Sequence, residues 1–392
     1  MARVSNRSDI SPFYVMQIAA LAQEQMINGV KVLHLEVGQP SGGAPVAARE
    51  AAASAMLSQS LGYTSSPGTP ELRARISRHY QDTYGVSVDP RRISVVAGAS
   101  GGFVLAFLAC FDVGSRVAVT EPGYPCYRNT LLALGCEPVG IPIGPETGYR
   151  LTAAAIEAAI RGGGRLDGLV IASPSNPTGT VLSADDLAAI IAVCETHDVT
   201  LIADEIYHGI TFDAPASSAL QHTNNVVVLN SFSKYFGMTG WRLGWVVTPP
   251  ELFESIERLA QNLYICAPHM SQVAGLAAFD CAEELDLRVD EFAQKRQILL
   301  HGLHAAGFDS IAPSDGAFYA YVDVSKYTDD SWGLCQQWLS ELGIACTPGI
   351  DFDPVRGHHF VRFSYAGLPA DIAEAMRRLA SWVSARSVLS DR

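Results

Sequence analysis

A lysine that can shed its proton is the most versatile amine nucleophile a protein owns, and this sequence holds four: Lys31, Lys234, Lys295 and Lys326. The other basic residues are arginines, which keep their charge, so any lysine-dependent chemistry has only these candidates. Lys31 enters a strand as Gly-Val-Lys, Lys295 sits beside Arg296 on a helical pattern, and Lys326 adjoins a Thr-Asp-Asp loop. All three read as ordinary solvated charges. Lys234 is different, because it follows the apolar run Val226-Val-Val-Leu-Asn-Ser-Phe-Ser and precedes Tyr235-Phe236-Gly237. An ammonium at a strand end among aromatics is partly desolvated, which lowers its pKa and frees the amine. The same segment also suits a lysine that merely snorkels past its neighbours. On its own the segment leaves both readings open.

Two further strand ends carry polar groups. Thr200-Leu-Ile-Ala-Asp204-Glu205-Ile206-Tyr207 closes on a carboxylate and then a phenol, and Gly168-Leu-Val-Ile-Ala-Ser-Pro-Ser-Asn176-Pro-Thr-Gly179 closes on an amide. In open α/β sheets the crevice beyond the carboxyl ends of the strands is where ligands bind. Asp204 there suits a protonated ring nitrogen, and Asn176 and Tyr207 could both donate to an oxyanion on the same ring. Taken singly, each motif is equally a plain turn. Gly98-Ala99-Ser100-Gly101-Gly102 lies between a strand pattern and a helix pattern. Its exposed N–H groups and the Ser100 hydroxyl make an anion site sized for one phosphate. It has neither the glycine spacing of a dinucleotide fingerprint nor the Gly-Lys-Ser/Thr ending of a P-loop.

The elements that must hold these groups follow from hydrophobic pattern. Residues 1–45 form an N-terminal arm, with a helical pattern over Val15–Asn28, a strand at Val32–Val37 and the turn-rich Gly38-Gln-Pro-Ser-Gly-Gly43. From 46 to 282 helices (Pro45–Ser58, Pro70–Tyr84, Ala184–Asp198) alternate with short apolar strands (Arg116–Thr120, Gly168–Ala172, Thr200–Ala203, Val226–Asn230, Gly244–Thr248). That alternation predicts parallel strands covered on both faces. Ser183-Ala-Asp-Asp186 reads as a capping-box start. Residues 283–392 open with a long helix, Glu283–Ala306. Strands at Ala317–Val324 and Phe360–Tyr365 and helices near Ser331–Leu342 and Pro369–Ser384 complete a smaller α+β domain.

Composition narrows the function. The 392 residues carry 27 Lys and Arg against 40 Asp and Glu, a net charge of −13, with 48% hydrophobic and 17% charged residues. Such a chain is not disordered, and its acidic balance argues against nucleic-acid binding. The charge-free stretch Ile93–Phe111 is long enough to span a membrane, but its glycines and serines make a buried strand, a turn and a buried helix the better reading. The eight cysteines show no CxxC, and the first residues show no apolar run behind their positive charges. Both features point to a cytoplasmic protein with reduced thiols.

Taken together, the motifs resemble the class I/II aminotransferases, aspartate aminotransferase-like enzymes of fold type I that use pyridoxal 5′-phosphate. The resemblance rests on Ser231-Phe-Ser-Lys234 with Arg242 in Gly240-Trp-Arg-Leu-Gly, on Asn176-Pro-Thr-Gly and on Asp204-Glu-Ile-Tyr207. Tyr63-Thr-Ser-Ser-Pro-Gly68-Thr-Pro-Glu-Leu-Arg73, Glu121-Pro-Gly-Tyr124-Pro-Cys-Tyr and Val361-Arg362-Phe-Ser-Tyr also fit, in order, over most of the chain. It implies an α/β fold: a large domain with a mostly parallel sheet of the seven-stranded type between helices, plus the smaller domain joined by the arm. It further implies that Lys234 holds the cofactor as an internal aldimine, with Asp204 on the pyridine nitrogen, Asn176 and Tyr207 on the ring oxygen, and Tyr124 on the ring face. Ala99, Ser100, Ser231, Ser233 and Arg242 would take the phosphate. Tyr63 would reach the phosphate of the other subunit of a homodimer. Arg362, with Asn176 and the Gly38 backbone, would clamp the substrate carboxylate.

The implied reaction is ping-pong exchange of an amino group between an L-amino acid and a 2-oxo acid. The Gly38–Gly43 loop departs from relatives that carry an acidic residue and an aromatic there. Being rich in glycine and poor in charge, it leans toward a neutral or aromatic donor, with 2-oxoglutarate or pyruvate as acceptor. A carbon–sulfur β-lyase or an aminocyclopropane-carboxylate-synthase-like lyase shares the same cradle. An effector-sensing domain is a weaker alternative, since the residues before Val32 are too few for a DNA-binding module. No metal site is expected: His358-His359, read as part of a strand, would point to opposite faces. His208 reads as an ordinary residue beside Tyr207.

Overall fold

The computed structural model describes residues 3–390, so Met1 and Ala2, the first residues of the stretch read for a targeting signal, lie outside the described residues. Its centre is a seven-stranded sheet. Across the sheet the order runs Ile93–Val96, Gly244–Val247, Val227–Ser231, Thr200–Asp204, Gly168–Ala172, Arg116–Glu121, Glu137–Pro142. All neighbours pair in parallel except Gly244–Val247, which runs antiparallel to both of its partners. The chain returns to this strand through Phe232–Leu243 with only a short 3-10 turn, and without a crossover helix the strand must reverse. That is the one departure from the parallel alternation read in the sequence.

Strand residues alternate between two cores, as a doubly covered sheet requires. Leu169 and Ile171 face a core with Leu72, Ile76, Tyr80 and Trp245. Val170 faces the other core, with Phe103, Phe107, Ile202 and Leu229. The helix Gly98–Cys110 is buried on nearly every side, which accounts for the charge-free stretch; no described helix is long and apolar enough to cross a membrane. The edge strand Glu137–Pro142 escapes the sequence pattern because Pro138 and Pro142 bracket it, and an edge position tolerates their missing donors. Ser183 accepts from the Asp186 N–H, but its own hydroxyl donates to the Asp186 carboxylate. The aspartate side chain is one methylene shorter than the glutamate of a reciprocal box.

A three-stranded antiparallel sheet, Thr347–Pro348, Phe360–Ser364 and Tyr319–Asp323, stands apart with the helices Tyr14–Ile27, Ala282–Ala305, Ser331–Leu342 and Pro369–Ser390. The strand expected over Val32–Val37 pairs only at Leu33–His34, with Ile344–Ala345. Past Leu35 its carbonyls are turned to side chains: that of Glu36 to Arg362 and Thr347, that of Gly38 to Lys234.

Two bland readings need correction. Lys295 is 2% exposed, with its ammonium 3.3 Å from the Ser41 hydroxyl and 3.8 Å from Glu291. His358 and His359 lie in a 3-10 turn, Gly357–His359, with ring centroids 4.0 Å apart, so strand alternation does not separate them. Among the described residues no group of three or more His, Cys, Asp and Glu side chains is placed to hold a metal ion.

Candidate active site

The carboxyl ends of the central strands open into a cavity of about 170 Å³. Gly38, Ala99, Ser100, Tyr124, Asn176, Asp204, Tyr207, Lys234 and Arg362, scattered over more than 300 residues of sequence, line it together. Each is aimed by its element. Asp204 ends its strand, and the alternation sends Glu205 to the other face, where Ser218 and the Ala219 N–H bind it. Ala99 and Ser100 occupy the first turn of Gly98–Cys110, a helix whose N-cap residue, Ala97, makes no side-chain cap bond. Tyr124 stands at the N-cap of Pro125–Leu134, and Arg362 is central in its strand.

Lys234 donates from Nζ to the Gly38 carbonyl at 2.7 Å. Burial lowers its pKa to about 8, helped by the positive charge of Arg362 and opposed by Asp204. An appreciable share of this amine is therefore neutral in mildly alkaline solution. Asp204 is buried, which raises its pKa to about 6, against the pull of Tyr127, the Ile206 N–H and Lys234. Tyr127 donates to Asp204 Oδ2 and the Ile206 N–H to Oδ1 at 3.0 Å. Asn176 Oδ1 accepts from Arg362 Nη1 at 2.9 Å. The guanidinium of Arg362 is 3% exposed, sandwiched between the rings of Tyr319 (4.3 Å) and Phe352 (4.7 Å). Its Nη2 holds the Glu36 carbonyl and Thr347 Oγ1, while Nε is buried without a partner. An orphaned guanidinium donor is a ready contact for a planar carboxylate.

Ser231 and Ser233 share a hydrogen bond of 2.9 Å beside the Ala99 turn, and Ser231 also donates to the Leu243 carbonyl. Arg242 packs on Gly98, where a Cβ would fall 2.4 Å from Nη2. Uncapped N–H groups, two hydroxyls and a guanidinium make a cradle fit for one phosphate. Ser231, Ser233 and Arg242 do not themselves line the cavity, and neither does Tyr63, which is 81% exposed.

Several lining residues were not read from the sequence. Tyr127 was in view in the Tyr124-Pro-Cys-Tyr motif, one helical turn from Tyr124. Tyr319 could have been found by strand alternation, since only one of Phe318 and Tyr319 can face the cavity. Its hydroxyl lies 2.8 Å from that of Tyr207. Phe13, Val15 and Met16 of the arm line the cavity together with Val37, and nothing local marks them.

A mostly parallel α/β sheet with a buried lysine, a carboxylate and an anion cradle at its strand ends defines an α/β enzyme equipped for amine chemistry. Residues 30–379 match the family model for aminotransferase class I and II. The chain belongs to this family, and it moves an amino group from an L-amino acid to a 2-oxo acid. It is 48% identical over 388 residues, 97% of this chain and 98% of the relative, to valine–pyruvate aminotransferase of Mycobacterium tuberculosis. The crystal structure of an aminotransferase from Mycobacterium tuberculosis superposes with a TM-score of 0.95 at 47% identity, covering 98% of this chain and all of that one. Aspartate aminotransferase from Thermus thermophilus with maleate gives a TM-score of 0.92 at 28% identity, over 97% of this chain and all of that one.

Proposed function

We propose that the cavity holds pyridoxal 5′-phosphate and serves a donor with a small apolar side chain, of the valine kind, with pyruvate as acceptor. The cofactor reading is supported by the fit of the donor set: anion-binding groups at the start of Gly98–Cys110, a buried carboxylate in Asp204 and a buried amine in Lys234, all on one cavity. The substrate reading is carried by one observation. The cavity lining includes Phe13, Val15, Met16 and Val37, and the cations lining the cavity are Lys234 and Arg362, each already committed. A donor's second carboxylate would meet hydrocarbon there, which is costly for a charge. The name of the 48% identical relative points the same way. Eight unpaired cysteines are in keeping with a cytoplasmic enzyme.

In this reading Ala99, Ser100, Ser231, Ser233 and Arg242 bind the phosphate, and Tyr124 covers the ring. Asp204 keeps a proton on the ring nitrogen, and Asn176 and Tyr207 donate to the ring oxygen. When bound, the cofactor supplies a carbonyl for the amine to engage and a ring that accepts the electron pair left by the departing α-proton. Arg362 meets the substrate's α-carboxylate through its unpartnered Nε–H and its positive charge, and fixes the α-carbon beside Lys234. Lys234 Nζ, neutral once displaced, takes the α-proton and carries it a short distance within the site. The apolar part of the lining disfavours competing water.

The test is a half-reaction screen. Each L-amino acid is added to the yellow holoenzyme, loss of the visible band is followed, and pyruvate or 2-oxoglutarate is then supplied to restore it. Valine and alanine should react quickly and pyruvate should regenerate the band. Rapid reaction of aspartate with valine inert would overturn the apolar-donor reading.

A further inference from the structure

Tyr207 owns one proton and has two claimants for it. A phenol hydroxyl gives one hydrogen and accepts through its lone pairs, so Tyr207 can donate to the ring oxygen only if it does not donate to Tyr319, 2.8 Å away. The surroundings of Tyr319 decide the direction. The Arg362 guanidinium lies 4.3 Å from the centre of the Tyr319 ring, and a cation on that face draws density from the phenol and makes its O–H the stronger donor. The residue is also pinned. Ser314 Oγ donates to its carbonyl at 2.7 Å, and its hydroxyl presses on Gly38 so closely that a Cβ there would fall 1.8 Å from the oxygen. Among the described residues the Tyr319 hydroxyl has a single hydrogen-bond partner, Tyr207.

We propose that Tyr319 is a positioning residue for the cofactor's ring oxygen: it donates to the Tyr207 oxygen and so leaves the Tyr207 proton directed at the ring. The inference rests on the pyridoxal 5′-phosphate reading above. Donation in series polarises the second O–H and strengthens its bond. The ring oxygen then shares less charge with the nitrogen that joins Lys234 to the cofactor, and that nitrogen holds its proton less tightly. The charged groups around this nitrogen are Asp204, Arg362 and Arg242. Tyr319→Phe keeps all of them, and keeps the ring beneath Arg362.

The pH midpoint of the holoenzyme's visible band is therefore the readout, measured in the native protein, Tyr319→Phe, Tyr207→Phe and Tyr319→Leu. Tyr207→Phe should raise the midpoint most. Tyr319→Phe should raise it by a few tenths of a pH unit, with KM for the amino acid within about twofold of native because the face under Arg362 is intact. Tyr319→Leu should raise KM severalfold as well. An unchanged midpoint in Tyr319→Phe beside a shifted one in Tyr207→Phe would overturn the proposal and leave the cofactor reading standing. A lowered midpoint would also overturn it, by showing that Tyr207 had been donating to Tyr319. A native protein with no pH-dependent visible band would overturn the cofactor reading itself and the proposal with it.

Discussion

The carboxylate of Asp204 shows how one residue trades stability for chemistry. Its pKa rises from the ordinary 3.8 to about 6 on burial, so the folded chain binds a proton more readily than the unfolded chain between these values. Stability from this group is full below pH 3.8, declines as pH rises, and is lost above about 6. Asp204→Asn removes the buried charge and can still accept from Tyr127. The cofactor-free variant should therefore melt at a higher temperature than the native chain at pH 7, and the gap should close as pH falls from 6 toward 4. Turnover should drop about 10²-fold or more, because an amide cannot balance a charged ring nitrogen. A calorimetric pH series and steady-state kinetics check the two halves; equal melting temperatures at pH 7 would mean that the charge is well compensated. The place of Asp204 in the cavity was legible because a carboxylate at the end of an apolar strand is chemically conspicuous. The burial of Lys295 was not, since a lysine beside an arginine on a helix reads as solvated, and its contact with Ser41 joins segments 254 residues apart.

At the scale of elements, local chemistry marked what local chemistry fixes. Thr69 accepts from the Leu72 N–H at the start of Pro70–Tyr84, a Thr-Pro signal visible in the sequence, and the apolar runs read as strands between 46 and 282 are strands of the central sheet. The reversed Gly244–Val247 strand and the bracketed edge strand depend on the whole sheet, so a window of sequence does not contain them. Gly98 joins both levels. It has φ +75°, and an added Cβ would meet the Arg242 guanidinium, which we assign to the phosphate cradle. Gly98→Ala carries a left-handed penalty of about 1 kcal/mol and must also displace Arg242. Affinity for pyridoxal 5′-phosphate should weaken about tenfold or more, while the α-carboxylate clamp, built on another strand, keeps its geometry. Titration of cofactor-free protein with pyridoxal 5′-phosphate reads the first effect and KM at saturating cofactor the second. Unaltered affinity would remove Arg242 from the cradle.

At the scale of the molecule, we place the division between large and small domains at the start of Ala282–Ala305, with residues 1–45 joined to the small domain. Leu285 still packs in the large core, whereas Phe292, Leu299 and Leu303 pack with Ile18, Leu33 and Trp338. One face remains unaccounted for within a single chain. Met56, Leu57 and Tyr63 are 62%, 91% and 81% exposed, and the 62–64 segment is tied to the 269–272 helix turn through Gly62–His269 and Thr64–Gln272 bonds. Leu263 and Ile265, also exposed, flank Tyr264 on the chain leading into that turn. An exposed apolar face of this kind suits a twofold interface. In a homodimer of that kind Tyr63 would serve the partner's phosphate cradle, and each active site would draw on both chains. Tyr63→Ala and Lys234→Ala should each be nearly inactive alone. Refolded or subunit-exchanged as an equal mixture, half the dimers are mixed, and one site in each mixed dimer has both residues native. Activity should therefore recover to about one quarter of the native value. No gain over the two parents, with exchange verified by mass-tagged subunits, would confine Tyr63 to its own chain and leave each site self-sufficient.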